Sequence, residues 1–167
     1  VSLIARERLI LQKKVLIVFG DAGSGKSQLF ANAANNAFML GIPTILLLGH
    51  TFLTKDSISI QIPTQLQLDL SIDAILQKLE GIGQQLKTPI CIFVDAINES
   101  GYKQIWMTGL SRLINQISDL EYVRLAISVR SGYEKLVFDN SLQEKIKNSE
   151  IASMVHTGFQ EESVRAT

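Results

Sequence analysis

Short unbroken apolar runs alternate along this chain with longer stretches in which apolar residues recur every three or four positions. The short runs are Val15 to Phe19, Thr44 to Leu48, Ile90 to Val94, Tyr122 to Val129 and a weaker Ile151 to Val155. Continuous runs of this length predict strands buried on both faces. Between them lie helical patterns. Lys26 to Leu40 gathers Leu29, Phe30, Ala33, Ala34, Ala37 and Phe38 on one side, and Gly41 follows where a helix would end. Ser71 is placed to cap a helix whose stripe is Ile72, Ile75, Leu76, Leu79, Ile82 and Leu86. Trp106, Leu110, Leu113, Ile114 and Ile117 form another stripe, and an opening helix runs from about Leu3 to Gln12. Ser57 to Leu70 fits two readings. Ile58, Ile60 and Ile62 alternate as in a strand, while Pro63 suits the first turn of a short helix. Strands and helices in alternation predict an α/β domain, a mostly parallel sheet with helices on both faces.

At 167 residues the chain is long enough for one domain with a full core. Sixteen basic residues cancel sixteen acidic ones, so no overall charge attracts nucleic acid or an acidic membrane surface. The lone Cys91, inside an apolar run, excludes an internal disulfide or a cysteine-rich zinc site and reads as a buried residue of a protein in a reducing, cytoplasmic compartment. No apolar run approaches the roughly 20 residues that span a bilayer. The chain opens on Val1 and stops at Thr167 in a helical pattern, which reads as a piece of a longer protein.

GDAGSGKS, Gly20 to Ser27, changes the picture from fold to chemistry. It is the pattern G-x-x-x-x-G-K-[ST], directly after an expected strand and directly before an expected helix, which is the context a phosphate-binding P-loop requires. Gly20, Gly23 and Gly25 let the backbone turn tightly and approach phosphate. Backbone N–H groups from Gly23 through Ser24, Gly25, Lys26 and Ser27 to Gln28 are expected to face a β-phosphate, helped by the positive end of the helix. Lys26 supplies charge to the β- and γ-phosphates, and the Ser27 hydroxyl is placed to coordinate Mg²⁺. Asp21 reads as a turn former.

The run Ile90 to Val94 ends in Asp95, the position from which a buried strand delivers a carboxylate to the magnesium shell. Hydrolysis also needs a group that orients or deprotonates water. Ala96 cannot do this, so Glu99 is the expected base, with Asn98 in hydrogen-bonding support. Arg130 ends the fourth strand, on the sheet edge where α/β folds hold their ligands. Its guanidinium is expected to contact a γ-phosphate, and Ser128 a phosphate or the water. His50 and His156 read as loop or core residues. Gly81 and Gly83 read as ending or loosening their helix. Trp106, Phe30 and Phe38 read as core.

The P-loop, DAINE at Asp95 to Glu99 and LAISVRSGYE at Leu125 to Glu134, with Trp106 between them, together resemble the STAND class of signalling P-loop NTPases, near the NACHT type. The likeness is strongest to antiviral STAND NTPases of bacterial defence and covers about Val15 to Phe159. It implies a three-layer αβα P-loop NTPase fold whose five strands lie in the order 5-1-4-3-2. It also implies ATP as the nucleotide, and a switch that forms homo-oligomers when a sensor region finds its ligand. Sensor and effector domains would lie outside this chain. HTGFQEES, His156 to Ser163, resembles the family's crossing into a helical domain, dividing the chain into a nucleotide domain at 1–157 and the start of the next at 158–167. Asn98 departs from the pattern, because relatives often have a second acid there, so slow hydrolysis is expected.

Two other functions compete with an ATP-driven switch that binds ATP and ADP. A module that holds nucleotide without turnover fits the missing acid at Asn98. A small-molecule kinase would need an arginine-rich lid, yet only Lys135, Lys145, Lys147 and Arg165 supply positive charge after Arg130. The guanine-reading N-K-x-D motif is absent from the sequence, which favours ATP.

Overall fold

The computed structural model describes residues 3–158. Helix α1 (Leu3–Gln12) precedes β1 (Val15–Gly20), α2 (Lys26–Met39) and β2 (Ile45–Leu48). Then come α3 (Ile58–Gln65), α4 (Ile72–Leu86), β3 (Ile90–Asp95), α5 (Gln104–Ser118) and β4 (Val123–Arg130). Two short helices, α6 (Glu134–Val137) and α7 (Asn140–Lys147), lead to β5 (Ala152–Val155). Among the described residues one five-stranded sheet forms in the order β2-β3-β4-β1-β5, every pairing parallel. Read from the other edge, that is the expected 5-1-4-3-2. The expected further domain at 158–167 lies, Gly158 apart, outside the described residues.

The unbroken apolar runs are explained by two cores, one on each face. Leu16 and Val18 of β1 point to one face, where they meet Ile10 of α1, Leu29 and Phe30 of α2, and Phe93 of β3. Val15 and Ile17 point to the other, against Trp106, Leu110 and Ile114 of α5 and Ile75, Leu76 and Leu79 of α4. Cys91 is buried on the α1–α2 face, and burial pushes its thiol pKa up, as expected of an inert core residue. Among the described residues no helix is long and apolar enough to cross a membrane.

Local chemistry explains three of the helix ends. Ser71 Oγ accepts from Ala74 N at 3.2 Å and opens α4. Gly41, at φ +74°, follows the end of α2 in the left-handed region where a side chain would be strained. Asp139 opens α7 by accepting from Leu142 N at 2.7 Å.

Three expectations need correction. The ambiguous segment is helical: Ile58 and Ile62 are buried one turn apart, Ile60 faces out, and Pro63 sits inside α3 rather than at its start. Phe38 is not core. It is 73% exposed beside Met39 and Leu40, because the last turn of α2 stands clear of the sheet after Ala37. Gly81 and Gly83 end nothing, since α4 continues to Leu86 and closes at Lys87.

Gly83 instead permits close packing. A Cβ there would collide with the Cβ and Cγ of Tyr122, just before β4. Three residues earlier on α4, the buried Glu80 carboxylate accepts both Glu121 N and Tyr122 N at 2.8 Å, holding the same entrance to β4. Alanine's better helix propensity contributes about 1 kcal/mol, and overpacking against the base of a side chain costs about 1–3 kcal/mol. Gly83→Ala is therefore expected to lose about 1 kcal/mol net, read as a lowered midpoint in urea at constant slope. A raised midpoint would mean that Tyr122 yields freely.

Candidate nucleotide site

The loop between β1 and α2 is shaped by three glycines with distinct duties. Gly23 (φ +73°) and Gly25 (φ +93°) take left-handed conformations, and Gly25 is the residue from which α2 departs. Gly20 is buried at the end of β1, where a Cβ would stand 2.6 Å from both His156 O and Ser24 Oγ. It sits beneath the loop and lies outside the cavity wall formed by the later loop residues. Ser24 N bonds to Asp21 O at 3.2 Å, closing the turn expected at Asp21.

Lys26 reaches back over this loop. Its Nζ donates to Gly20 O at 2.8 Å, Asp21 O at 2.7 Å and Ser24 Oγ at 3.3 Å. Burial pushes its pKa below the ordinary lysine value, against the opposing pull of the Asp95 and Asp21 carboxylates.

Asp95 ends β3 and is buried. Its Oδ2 accepts from Ser27 Oγ at 2.5 Å, so the first turn of α2 and the tip of β3 are joined. The next residue, Ala96, turns into the left-handed region (φ 56°, ψ 54°) and starts a single 3₁₀ turn, Ile97–Glu99. That turn carries Glu99, exposed, to the rim of the cavity. Asn98 Oδ1 accepts from the backbone N of Arg130 at 2.9 Å, tying the β3 loop to the end of β4. The Arg130 guanidinium is exposed and lies 5.7 Å from the centre of the Tyr133 ring, within cation–π range.

These parts enclose a cavity of about 580 Å³ lined by Ala22 to Gln28, Asp95, Ala96, Asn98, Glu99, Arg130 and Tyr133. The structure therefore brings together Gly23, Ser24, Gly25, Lys26, Ser27, Gln28, Asp95, Glu99 and Arg130. Their chemistry suits a polyphosphate: a helix N-terminus, two cations and a loop of backbone amides. It also suits a hard cation held with phosphate oxygens. The Ser27 proton is directed at Asp95, which leaves the hydroxyl lone pairs for a metal. Among the described residues no group of three or more His, Cys, Asp or Glu forms a protein cage for a metal.

Ser128 departs from expectation. It is fully buried and lines no part of the cavity, and its hydroxyl donates to Asp95 Oδ1 at 2.5 Å. Tyr133 lines the cavity although its sequence position gives no chemical signal beyond lying three residues after Arg130. His50 is exposed and outside the cavity wall. His156 is buried behind the loop, its N bonded to Phe19 O at 2.7 Å and its Nδ1 2.9 Å from Arg6 Nη1. Burial, aided by Arg6 and Lys26, pushes its pKa below the usual imidazole value. Trp106 is buried core, as expected, and its Nε1 donates to Ser100 Oγ at 2.7 Å.

No family model and no curated protein matches the chain. Solved structures match in fold. AMPPCP-bound DnaA from Aquifex aeolicus superimposes with a TM-score of 0.59 at 15% identity, over 92% of this chain and 43% of that one. A DNA replication initiation factor gives 0.57 at 13% identity, over 98% and 46%. Cdc6p from Pyrobaculum aerophilum gives 0.53 at 14% identity, over 85% and 38%. The chain thus spans less than half the length of these three structures. With the sheet order and the loop before α2, these matches define a P-loop NTPase fold.

Proposed function

We propose that this chain is the ATP-binding and slowly ATP-hydrolysing switch domain of a larger cytoplasmic protein of the STAND class, NACHT-like and serving antiviral defence. The observation that carries the nucleotide-and-metal part of this reading is the Ser27–Asp95 contact at 2.5 Å, on the floor of a cavity that Lys26, Glu99 and Arg130 share, and the STAND and antiviral part rests on the sequence resemblance. The fold likeness to a DnaA bound to AMPPCP, a triphosphate analogue, supports the same reading.

The residues divide the work. Amides from Gly23 to Gln28 and the start of α2 take the β-phosphate, and Lys26 bridges the β- and γ-phosphates. Ser27 and Asp95 would hold Mg²⁺, which supplies charge neutralisation on the phosphate oxygens when bound. Arg130 contacts the γ-phosphate. Glu99 accepts a proton from water as the water oxygen bonds to the γ-phosphorus. The bond from that phosphorus to the β–γ bridging oxygen breaks, and ADP and phosphate leave. Arg130 then loses its partner, which is the physical difference a switch needs between its two states. Nucleotide-dependent homo-oligomerisation of the full-length protein, with sensor and effector regions beyond this chain, completes the proposal.

One observation favours a second reading, a nucleotide-holding scaffold without turnover. Asn98 Oδ1 accepts from Arg130 N, and the residue brings no second acid to the cavity. A kinase reading lacks support, because the cavity wall contains Arg130 as its one arginine among the described residues.

The test is Arg130→Ala in calorimetric titrations of the intact protein with ATP and with ADP, both in Mg²⁺. Losing one charge-assisted contact at an exposed site costs about 1.5 kcal/mol, so ATP affinity is expected to fall roughly tenfold while ADP affinity holds. An unchanged ATP-to-ADP ratio removes Arg130 from the γ-phosphate.

A further inference from the structure

Ser128 lies on β4 at the centre of the sheet, 0% exposed, where a hydroxyl is tolerated only if its hydrogen bonds are met. Both of its bonds go to the tip of β3. The single proton goes to Asp95 Oδ1 at 2.5 Å, and a lone pair accepts Ala96 N at 2.7 Å. The β3–β4 register runs from Ile90 opposite Val123 to Val94 opposite Ile127. Asp95 and Ser128 are thus the next pair, where the side chain takes over as the backbone ladder stops. Ala96 leaves the strand through a left-handed conformation that residues with a Cβ rarely adopt (φ 56°), so something must hold it there. Ser128 is the group bonded to its N–H.

We propose that Ser128 is a positioning residue for the Asp95 carboxylate, holding Oδ1 beneath the cavity so that Oδ2 faces Ser27 and a bound divalent cation. A carboxylate turns freely about its last bond. Fixing one oxygen fixes the direction of the other, and the Ser27 contact at 2.5 Å lies on that second oxygen. Ser128 touches neither nucleotide nor cation, and it acts through Asp95 alone. Its bond to Ala96 N extends the same control to the turn that carries Glu99. The inference rests on the nucleotide-and-metal reading of this cavity.

The experiment compares the affinity of the intact protein for AMPPCP in Mn²⁺ with its affinity in EDTA, for wild type, Ser128→Ala and Ser128→Cys. The ratio of the two affinities isolates the cation, because a general loosening of the fold lowers both. Ser128→Ala is expected to lower the ratio at least fivefold while the EDTA affinity stays within twofold of wild type. Ser128→Cys nearly keeps the volume but offers a weak donor, so it is expected to lower the ratio in the same direction and carries the test where the alanine protein does not fold. A ratio unchanged in the variants, or equal losses with and without Mn²⁺, overturns the assignment. Wild-type protein that binds no AMPPCP, or binds it equally in Mn²⁺ and EDTA, refutes the underlying reading instead.

Discussion

Lys26→Ala is expected to weaken ATP binding about a hundredfold, with little change in the thermal midpoint. The Nζ sits 2.7–2.8 Å from Asp21 O and Gly20 O, inside the curve of the loop, and 3.3 Å from Ser24 Oγ. A triphosphate would exchange these neutral acceptors for charged ones, and charge-assisted bonds contribute about 1.5–3 kcal/mol each. Two such contacts, to β- and γ-phosphate oxygens, give about 3 kcal/mol, which is roughly a hundredfold in affinity. Stability should move little, because Asp21 is exposed and Ser24 lines the cavity, so water can replace the lysine there, while the buried Gly20 O keeps its bond from Ser131 N at 3.1 Å. The removal also relieves the burial that lowers the lysine's pKa. Calorimetry with ATP and a thermal melt on the same preparation separate the two effects. Unchanged ATP affinity would falsify the phosphate role of Lys26, and a collapsed midpoint would show that its main work is holding the loop.

The parts of the site legible in the sequence are those whose chemistry lies in consecutive residues. The loop glycines, Lys26 and Ser27 announce themselves because strand, turn and helix follow one another without a break. Asp95 is legible because an apolar run ending in a carboxylate has few other uses. The parts that are not legible depend on which strands lie side by side. Ser128 reads from sequence as a contact to a phosphate or the water, because it nears the end of a strand. Only the β3–β4 pairing reveals that the next residue it meets is Asp95. Asn98 is legible as a missing acid, but not as the acceptor that ties Arg130 N to the β3 loop. Phe38 and Gly83 fail for a related reason. Helical periodicity tells which side a residue faces, not whether a neighbour reaches that far or comes too close. For Phe38 the sheet has ended, and for Gly83 Tyr122 stands where a methyl group would go. The Ser57 to Leu70 segment was decided by burial: a four-residue spacing puts Ile58 and Ile62 against α5 and α4, which a strand's two-residue period cannot do while leaving Ile60 exposed.

Glu99→Gln is expected to lower single-turnover phosphate release at least a hundredfold, the scale on which a positioned general base acts, while ATP affinity stays within about twofold. Glutamine keeps the shape and removes the proton acceptor, so the variant probes chemistry and not packing. Affinity should hold because Glu99 is exposed on the rim, on the 3₁₀ turn after Asp95 and away from the amides that face a β-phosphate. That turn is held from behind. Ser100 Oγ donates to Gly49 O at 3.0 Å and accepts Trp106 Nε1 at 2.7 Å, and Gly49 lies so close to Ala96 O that a Cβ would collide with it. A base on a turn anchored at both ends meets the same water in each cycle, which is the geometric condition for base catalysis. Three outcomes separate the readings. A large fall in rate at constant affinity identifies Glu99 as the base. An unchanged rate transfers that role to another group at the rim. Wild-type protein that binds ATP but releases no phosphate makes the chain a nucleotide-holding scaffold, in which Asn98 serves only to fasten Arg130 to the β3 loop.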